Sequence, residues 1–325
     1  MGYRQENRRI VREEFEKKAR EAEAEAERRR EEVWEAVPEI RETDAYLSSL
    51  GLRILRVAME GGDIPAAMAR LRNENEQLRA RRGELLVKNG FPADYDDPRY
   101  ECGICRDRGY VNGKMCACMR GRLMEAGMKA SGLSALLKKQ SFGNFSLDYY
   151  RKDPESYKTM SENLRNARAF AEHFGEDGNG IPRNLLFVGG TGLGKTHLST
   201  AVARVVIERG YDVFYNSAVG MLSDFEALRF GTGVVQGDGE NVARYTECDL
   251  LILDDLGTEV VNQFSLSCLY HVLNTRLNLE LPTIISTNLS PAEIRKTYSD
   301  RIASRLFGEF FILPFRGVDV RQQKI

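Results

Sequence analysis

The chain has 325 residues, 42% of them hydrophobic and 29% charged, with a net charge of -1. This balance describes a water-compatible chain of about two domains and gives no sign of a collagen-like or membrane-embedded class. The near-neutral total also excludes a whole-surface electrostatic footprint for nucleic acid, so any DNA contact must be local.

The amino terminus, MGYRQENRRIVREEFEKK, is charged from the start and lacks an apolar run of signal-peptide length, so the expected compartment is the reducing cytoplasm. Residues 3–36 are dominated by Glu, Arg, Lys and Ala, with apolar positions only at Ile10, Val11, Phe15, Val33 and Trp34. That pattern predicts a long solvated helix laced with i,i+4 ion pairs and ended by Pro38. Either a bland helical arm or a docking arm fits it.

A second helix is expected over 63–90, capped by Asp63, with Pro65 in its first turn and Asn89-Gly90 as its stop. Ile64, Leu71, Leu78 and Leu85 recur every seven residues, with Met68, Asn75 and Arg82 at the alternate core position. Three heptads interrupted by Gly83 are too short for a free-standing coiled coil. The stripe is expected to pack inside an amino-terminal helical bundle, a partner-facing role being the alternative.

Next comes 102-CGICRDRGYVNGKMCAC-118, which holds four of the six cysteines. Asn112-Gly113 suits a type I′ hairpin turn, which would return Cys116-x-Cys118 to Cys102-x-x-Cys105. Four thiolates so placed predict one tetrahedral Zn²⁺. With no open coordination position, that ion would be structural and not catalytic. Redox chemistry or scattered buried thiols are the competing readings.

The segment 131–156 reads as a linker, and 157–174 as an amphipathic helix closed by 175-GEDGNG-180. From Asn184 onward, apolar runs of strand length (LLFV, YDVFYN, LLIL, TIIST, FFILPF) alternate with helical stretches, the signature of a parallel α/β sheet covered by helices. The expected organisation is therefore a helical, metal-binding partner-interaction domain over 1–130, a linker over 131–156 and a nucleotide-binding domain over 157–325.

LLFV leads into 189-GGTGLGKT-196, a G-x-x-x-x-G-K-[ST] phosphate loop between strand and helix. Gly189, Gly190, Thr191, Gly192, Leu193 and Gly194 would wrap backbone N–H groups around the phosphates of ATP, with His197 just beyond. Lys195 would neutralise the β/γ charge and Thr196 would ligate Mg²⁺. The run 250-LLILDDLG-257 ends in two acids, Asp254 placed to hold Mg²⁺ through water and Asp255 to polarise the attacking water. With YDVFYN as the outer strand, TIIST is expected between LLFV and LLIL, in the order 5-1-4-3-2, and Asn288 at its end would sit between the phosphate loop and Asp254. Arg301 and Arg305 share a helical face in 300-DRIASRL-306 and offer an arginine finger to a neighbouring subunit. Two surface arginines in ion pairs would read the same way.

The ordered set SFGNFSLDYY, GGTGLGKTHLS, CDLLILDDLGTE, TIISTNLS and DRIASRL resembles the DnaC/DnaI/IstB group of AAA+ P-loop ATPases over roughly the last 185 residues. The resemblance implies slow ATP hydrolysis dependent on assembly or DNA. It makes Lys195 and Thr196 the phosphate and Mg²⁺ residues, Asp254 and Asp255 the Walker B pair and Asn288 the first sensor. Arg305 becomes the preferred finger and Arg301 the second candidate. Most AAA+ proteins carry Glu where Asp255 stands. The sequence after Pro314 leaves no room for a helical lid, and Arg321 is a candidate second sensor in its place. DnaI-like loaders resemble this chain in carrying a zinc-binding amino-terminal domain, whereas IstB-like transposition helpers typically lack one. The implied function is loading of a DnaB-type helicase hexamer onto single-stranded DNA, with ATP-dependent self-association; the alternative is an IstB-like helper of transposition. Phe225, Arg229, Phe230 and Arg244 are candidate DNA contacts.

Overall fold

In a computed structural model, residues 3–60, 64–176, 180–231 and 238–324 are described. They divide into two compact units. One takes residues 12–119; the other takes 120–325 with the first turns of the opening helix.

The first unit is built on α1 (Gln5–Ala36), α2 (Pro38–Glu60) and α3 (Ile64–Lys88). Pro38 does not merely end α1; it opens α2, where a missing N–H costs nothing. That middle helix is unannounced by the sequence pattern. Val33, Val37, Ile40 and Leu86 form a buried cluster, flanked by Trp34, Leu85, Phe91 and Tyr95. Beside it Arg82 on α3 donates to both carboxylate oxygens of Asp44 on α2, at 2.5 and 3.0 Å, and also to Asp96. Gly83 leaves α3 unbroken. Of the heptad positions, Leu71 is buried and Leu78 and Leu85 half-buried. The expected cap Asp63 and the side chain of Ile64 lie outside the described residues.

Then follow β1 (Tyr110–Val111) and β2 (Lys114–Met115), antiparallel with Tyr110 opposite Met115. Asn112 and Gly113 between them have φ of 50° and 75°, the two left-handed positions a type I′ turn requires. α4 (Ala117–Ala130) leads out of this hairpin.

The second unit continues through α5 (Ser134–Leu137), α6 (Pro154–Glu172), β3 (Asn184–Val188), α7 (Lys195–Glu208), β4 (Val213–Ser217), α8 (Ala218–Phe230), α9 (Asp238–Glu247), β5 (Leu250–Leu256), α10 (Gln263–Asn278), β6 (Thr283–Thr287), α11 (Pro291–Thr297), α12 (Asp300–Glu309) and β7 (Phe311–Pro314). Its five strands are parallel, in the order β4-β5-β6-β3-β7. This is the 5-1-4-3-2 arrangement expected from the sequence.

Both faces of the sheet are covered, which is why its strands read as unbroken apolar runs. Leu185 and Phe187 point into one cluster with Val202, Val206 and Ile284. Leu186 and Val188 point into the other with Leu269, Val272 and Leu306. Residues 131–156, expected as a linker, are folded onto the first of these faces: Leu133, Leu137, Phe145 and Tyr150 are all buried in it. Beyond β7 the described residues hold only a 3-10 turn at Gln322–Lys324. No helix among the described residues is long and apolar enough to cross a membrane.

Candidate nucleotide site and cysteine cluster

Register aligns the carboxyl ends of four strands. Val188 pairs with Thr287, Leu256 with Thr287, and Ser217 with Asp254. The loop after β3, Asn288 after β6 and the acids of β5 therefore meet at the carboxyl end of the sheet, where ligands bind in open α/β folds.

The loop itself is shaped by glycine. Gly194 has φ 86°, and a Cβ there would stand 3.0 Å from the Phe145 ring and 3.2 Å from the Tyr150 hydroxyl. Tyr150 donates to the Leu193 carbonyl at 2.9 Å, so the 141–150 segment braces the loop from outside. Gly194 also precedes α7 with no side-chain cap, leaving the first N–H groups of that helix to an anion. Lys195 is buried and donates to the Gly189 and Gly190 carbonyls, both at 2.7 Å. Burial lowers its pKa, opposed by the charges of Asp255 and Asp254. Thr191 is exposed at the loop's tip. His197 is turned away to the 141–145 segment, its Nε2 at 3.1 Å from the Ser141 carbonyl and 2.9 Å from Asn144 Oδ1.

Asp254 is 2% exposed and its carboxylate accepts from three hydroxyls. Thr196 reaches Oδ2 at 2.8 Å, Tyr215 reaches the same oxygen at 2.9 Å, and Ser286 takes Oδ1. The pairing of β5 with β6 skips between Leu253 and Leu256, so Asp254 and Asp255 together oppose Ser286. This β-bulge turns the strand end and re-aims its side chains. Asp255 takes the strained left-handed φ of 54°, and its N–H donates to Ser286 Oγ at 3.0 Å. Burial first, and then the charge of Asp254, raises the Asp255 pKa.

Asn288 is exposed at the end of β6, next to the loop. Arg321 follows a segment laid against the same loop, where the Val320 N–H donates to the Gly192 carbonyl at 3.0 Å. Its charge acts on both Lys195 and Asp255. Arg301 is exposed on α12. Arg305 is held within its own chain, donating to Asn274 Oδ1 at 2.6 Å and the Tyr270 hydroxyl at 3.0 Å. The structure therefore brings together Lys195, Thr196, Asp254, Asp255 and Asn288, and sets Arg301 and Arg305 apart on α12.

Among the DNA candidates, Arg244 is withdrawn: it is buried, paired with Asp212 at 3.0 Å and stacked 4.3 Å over Phe214. Phe225 is half-buried against Tyr245, while Arg229 and Phe230 are exposed. Tyr215, Ser286 and Tyr150 escaped the sequence reading. Their only signal was a polar group at a strand end or beside an aromatic run.

In the amino-terminal unit the Sγ atoms of Cys102, Cys105, Cys116 and Cys118 all lie within 4.8 Å of one another. Cys102 and Cys116 are 3.9 Å apart and Cys105 and Cys118 3.4 Å. A tetrahedron with Zn–S of about 2.3 Å has edges of about 3.8 Å, so the spacing fits. The Gly109 N–H points at Cys105 Sγ at 3.3 Å. Buried Asp107 accepts from the N–H groups of Glu101 and Cys102 at 2.9 and 2.8 Å, fixing the first half-site. The Cys105 N–H, the Cys118 thiol and the Ile104 N–H pull Cys102 down to about 7, whereas burial pushes Cys105 and Cys118 up. Four thiolates this close repel one another without a cation, which is the donor set a structural metal wants.

A phosphate loop after β3, paired acids on β5 and a polar residue ending the strand between them define an AAA+ ATP-binding module. Comparison with known proteins agrees. Residues 166–308 match the family model IstB-like ATP binding protein. The replicative helicase loader DnaC of Escherichia coli (strain K12) is 23% identical over 152 residues, 47% of this chain and 61% of that protein. The chain thus spans about three-fifths of the length of the DnaC relative it matches. The phage-like element PBSX protein XkdC of Bacillus subtilis (strain 168) is 28% identical over 229 residues, 66% of this chain and 81% of that one. A crystal structure of the DnaC helicase loader covers 54% of this chain and 98% of its own, with 22% identity and a TM-score of 0.44. Over residues 166–308 the carboxy-terminal unit is thus similar to the IstB-like ATP binding proteins.

Proposed function

We propose that this protein is an ATP-dependent loader of a replicative DnaB-type helicase onto single-stranded DNA. The observation that carries the reading is the union of two features in one chain: an AAA+ nucleotide site, and a preceding helical unit that ends in a four-cysteine cluster. The first suits a switch driven by ATP; the second suits a rigid partner-binding module held by Zn²⁺.

In this reading the loop amides, the α7 amino terminus and Lys195 would hold the phosphates, and Thr196 and Asp254 would hold Mg²⁺, which would supply charge neutralisation there. Asp255 takes a proton from the attacking water, and Asn288 orients that water or the γ-phosphate. Arg305 leaves Tyr270 and Asn274 to reach the nucleotide of a neighbouring copy, coupling hydrolysis to assembly; Arg301 is the second candidate. Arg229 and Phe230 on α8 offer a cation and a stacking face to single-stranded DNA.

Co-purification with a helicase hexamer, with and without residues 1–130, tests the reading. The full chain retains the helicase and the truncated chain loses it. Equal retention by both, or by neither, contradicts the assignment. An IstB-like transposition helper is the second reading, favoured by the family matched over residues 166–308. It predicts ATP-dependent filaments on duplex DNA with no helicase bound.

A further inference from the structure

Asp254 has one more hydroxyl than a phosphate-loop site needs. Thr196 belongs to the loop and Ser286 to the neighbouring strand, but Tyr215 comes from β4, separated from β3 and its loop by both β5 and β6. Its phenol donates to Asp254 Oδ2 at 2.9 Å, the oxygen that Thr196 also uses. We propose that Tyr215 is a positioning residue for Mg²⁺ binding: its hydroxyl fixes the rotamer of Asp254 so that the carboxylate presents one orientation to the metal's water shell.

Three features of the geometry support this role. Tyr215 is half-buried, its ring packed against the apolar cluster of β3 and α7, so the hydroxyl arrives on a rigid lever. Its backbone is fixed independently, because the Tyr215 N–H donates to the Ser131 carbonyl at 2.9 Å. Gly132 comes so close that a Cβ there would stand 2.9 Å from the Tyr215 carbonyl. With two donors on Oδ2 and one on Oδ1, rotation of Asp254 about χ2 breaks at least one charge-assisted hydrogen bond. A carboxylate bonded only to Thr196 would have no such restraint from β4. Among the described residues the Tyr215 hydroxyl bonds Asp254 and neither the nucleotide loop nor Asp255, so its influence runs through Asp254.

The inference rests on the ATPase reading, and the test separates the two. In full-length protein, binding of a fluorescent ATP analogue is titrated with Mg²⁺ for wild type and Tyr215→Phe, alongside steady-state kcat and KM and thermal melting. Losing one hydrogen bond to a charged group should raise the Mg²⁺ concentration at half-saturation about tenfold. Affinity for the analogue without Mg²⁺ stays at the wild-type value, and kcat recovers at high Mg²⁺. A variant that melts with wild type and shows the wild-type Mg²⁺ requirement overturns the proposal. So does one that loses metal-free nucleotide affinity in parallel, which marks general distortion. A wild type with no Mg²⁺-dependent nucleotide binding overturns instead the ATPase reading itself.

Discussion

The Thr196 hydroxyl donates to Asp254 Oδ2 at 2.8 Å, tying the first turn of α7 to the end of β5 across the sheet. One hydrogen bond thus joins the phosphate-loop threonine to the buried carboxylate of β5. Asp254→Asn should keep the fold but abolish Mg²⁺-dependent hydrolysis, because a neutral amide cannot balance the cation. Lys195→Ala should weaken ATP binding by about 10–100-fold, the worth of a charged hydrogen bond. Equilibrium nucleotide binding and phosphate release measured on both variants check the pair.

Arg305 is docked on Tyr270 and Asn274 of α10, with its guanidinium 4.5 Å over the Tyr270 ring. As a finger acting between subunits, it should leave binding alone. Arg305→Ala is expected to lower kcat by about 10³-fold or more with nucleotide affinity intact. Arg301→Ala, removing an exposed side chain, is the matched comparison; a larger loss there would reverse the two assignments. Single-turnover hydrolysis at concentrations that permit self-association reads both.

Cys105 is buried and receives the Gly109 N–H, so replacing it removes a thiol of the cluster and a supporting contact together. Cys105→Ser should release bound zinc and destabilise residues 12–119, while ATP binding by the other unit is retained. Metal content by mass spectrometry and nucleotide binding on the same sample show whether the two units respond separately. Zinc-free wild type with full stability would contradict the site.

Asp96 supplies a pH test. Burial raises its pKa, but hydrogen bonds and charge from Arg82 outweigh that and leave it lowered overall. A lowered folded pKa means the pair contributes stability above the unfolded value of about 3.9 and loses it as pH falls through the folded value. The single tryptophan, Trp34, donates to Asp44 at 2.8 Å in the same network and reports it by fluorescence. Asp96→Asn should flatten the acid limb of the unfolding curve and cost about 2 kcal/mol at neutral pH.

The parts legible in the sequence are those with local signatures. The phosphate loop, the paired acids and the Asn112-Gly113 hairpin each carry residue types that only one backbone path accommodates. The sheet order followed from YDVFYN as the outer strand, which leaves TIIST between LLFV and LLIL, all apolar on both faces as central parallel strands are. The bulge at Asp254–Asp255 was hidden because it depends on pairing with β6, which no single strand encodes. Tyr215 was hidden for the same reason: within YDVFYN it reads as one more apolar strand residue, and only the register of Ser217 against Asp254 turns its hydroxyl toward the site. The 131–156 segment read as a linker because Ser, Gly, Lys and Asp interrupt it, although Leu133, Leu137, Phe145 and Tyr150 supply enough apolar surface to bind it to the sheet. Arg244 looked like a DNA contact by composition, and burial against Phe214 and Asp212 removes it.

The central claim is that ATP binding here governs delivery of a helicase ring to single-stranded DNA. The most direct measurement mixes full-length protein, a replicative helicase hexamer and closed circular single-stranded DNA, and counts hexamers retained on the circle. The account predicts loading that requires ATP and is lost in Lys195→Ala and in Cys105→Ser, through the nucleotide site in one and the helicase-binding unit in the other. Helicase that neither binds this protein nor loads in any nucleotide state, with filaments forming on duplex DNA instead, would contradict it.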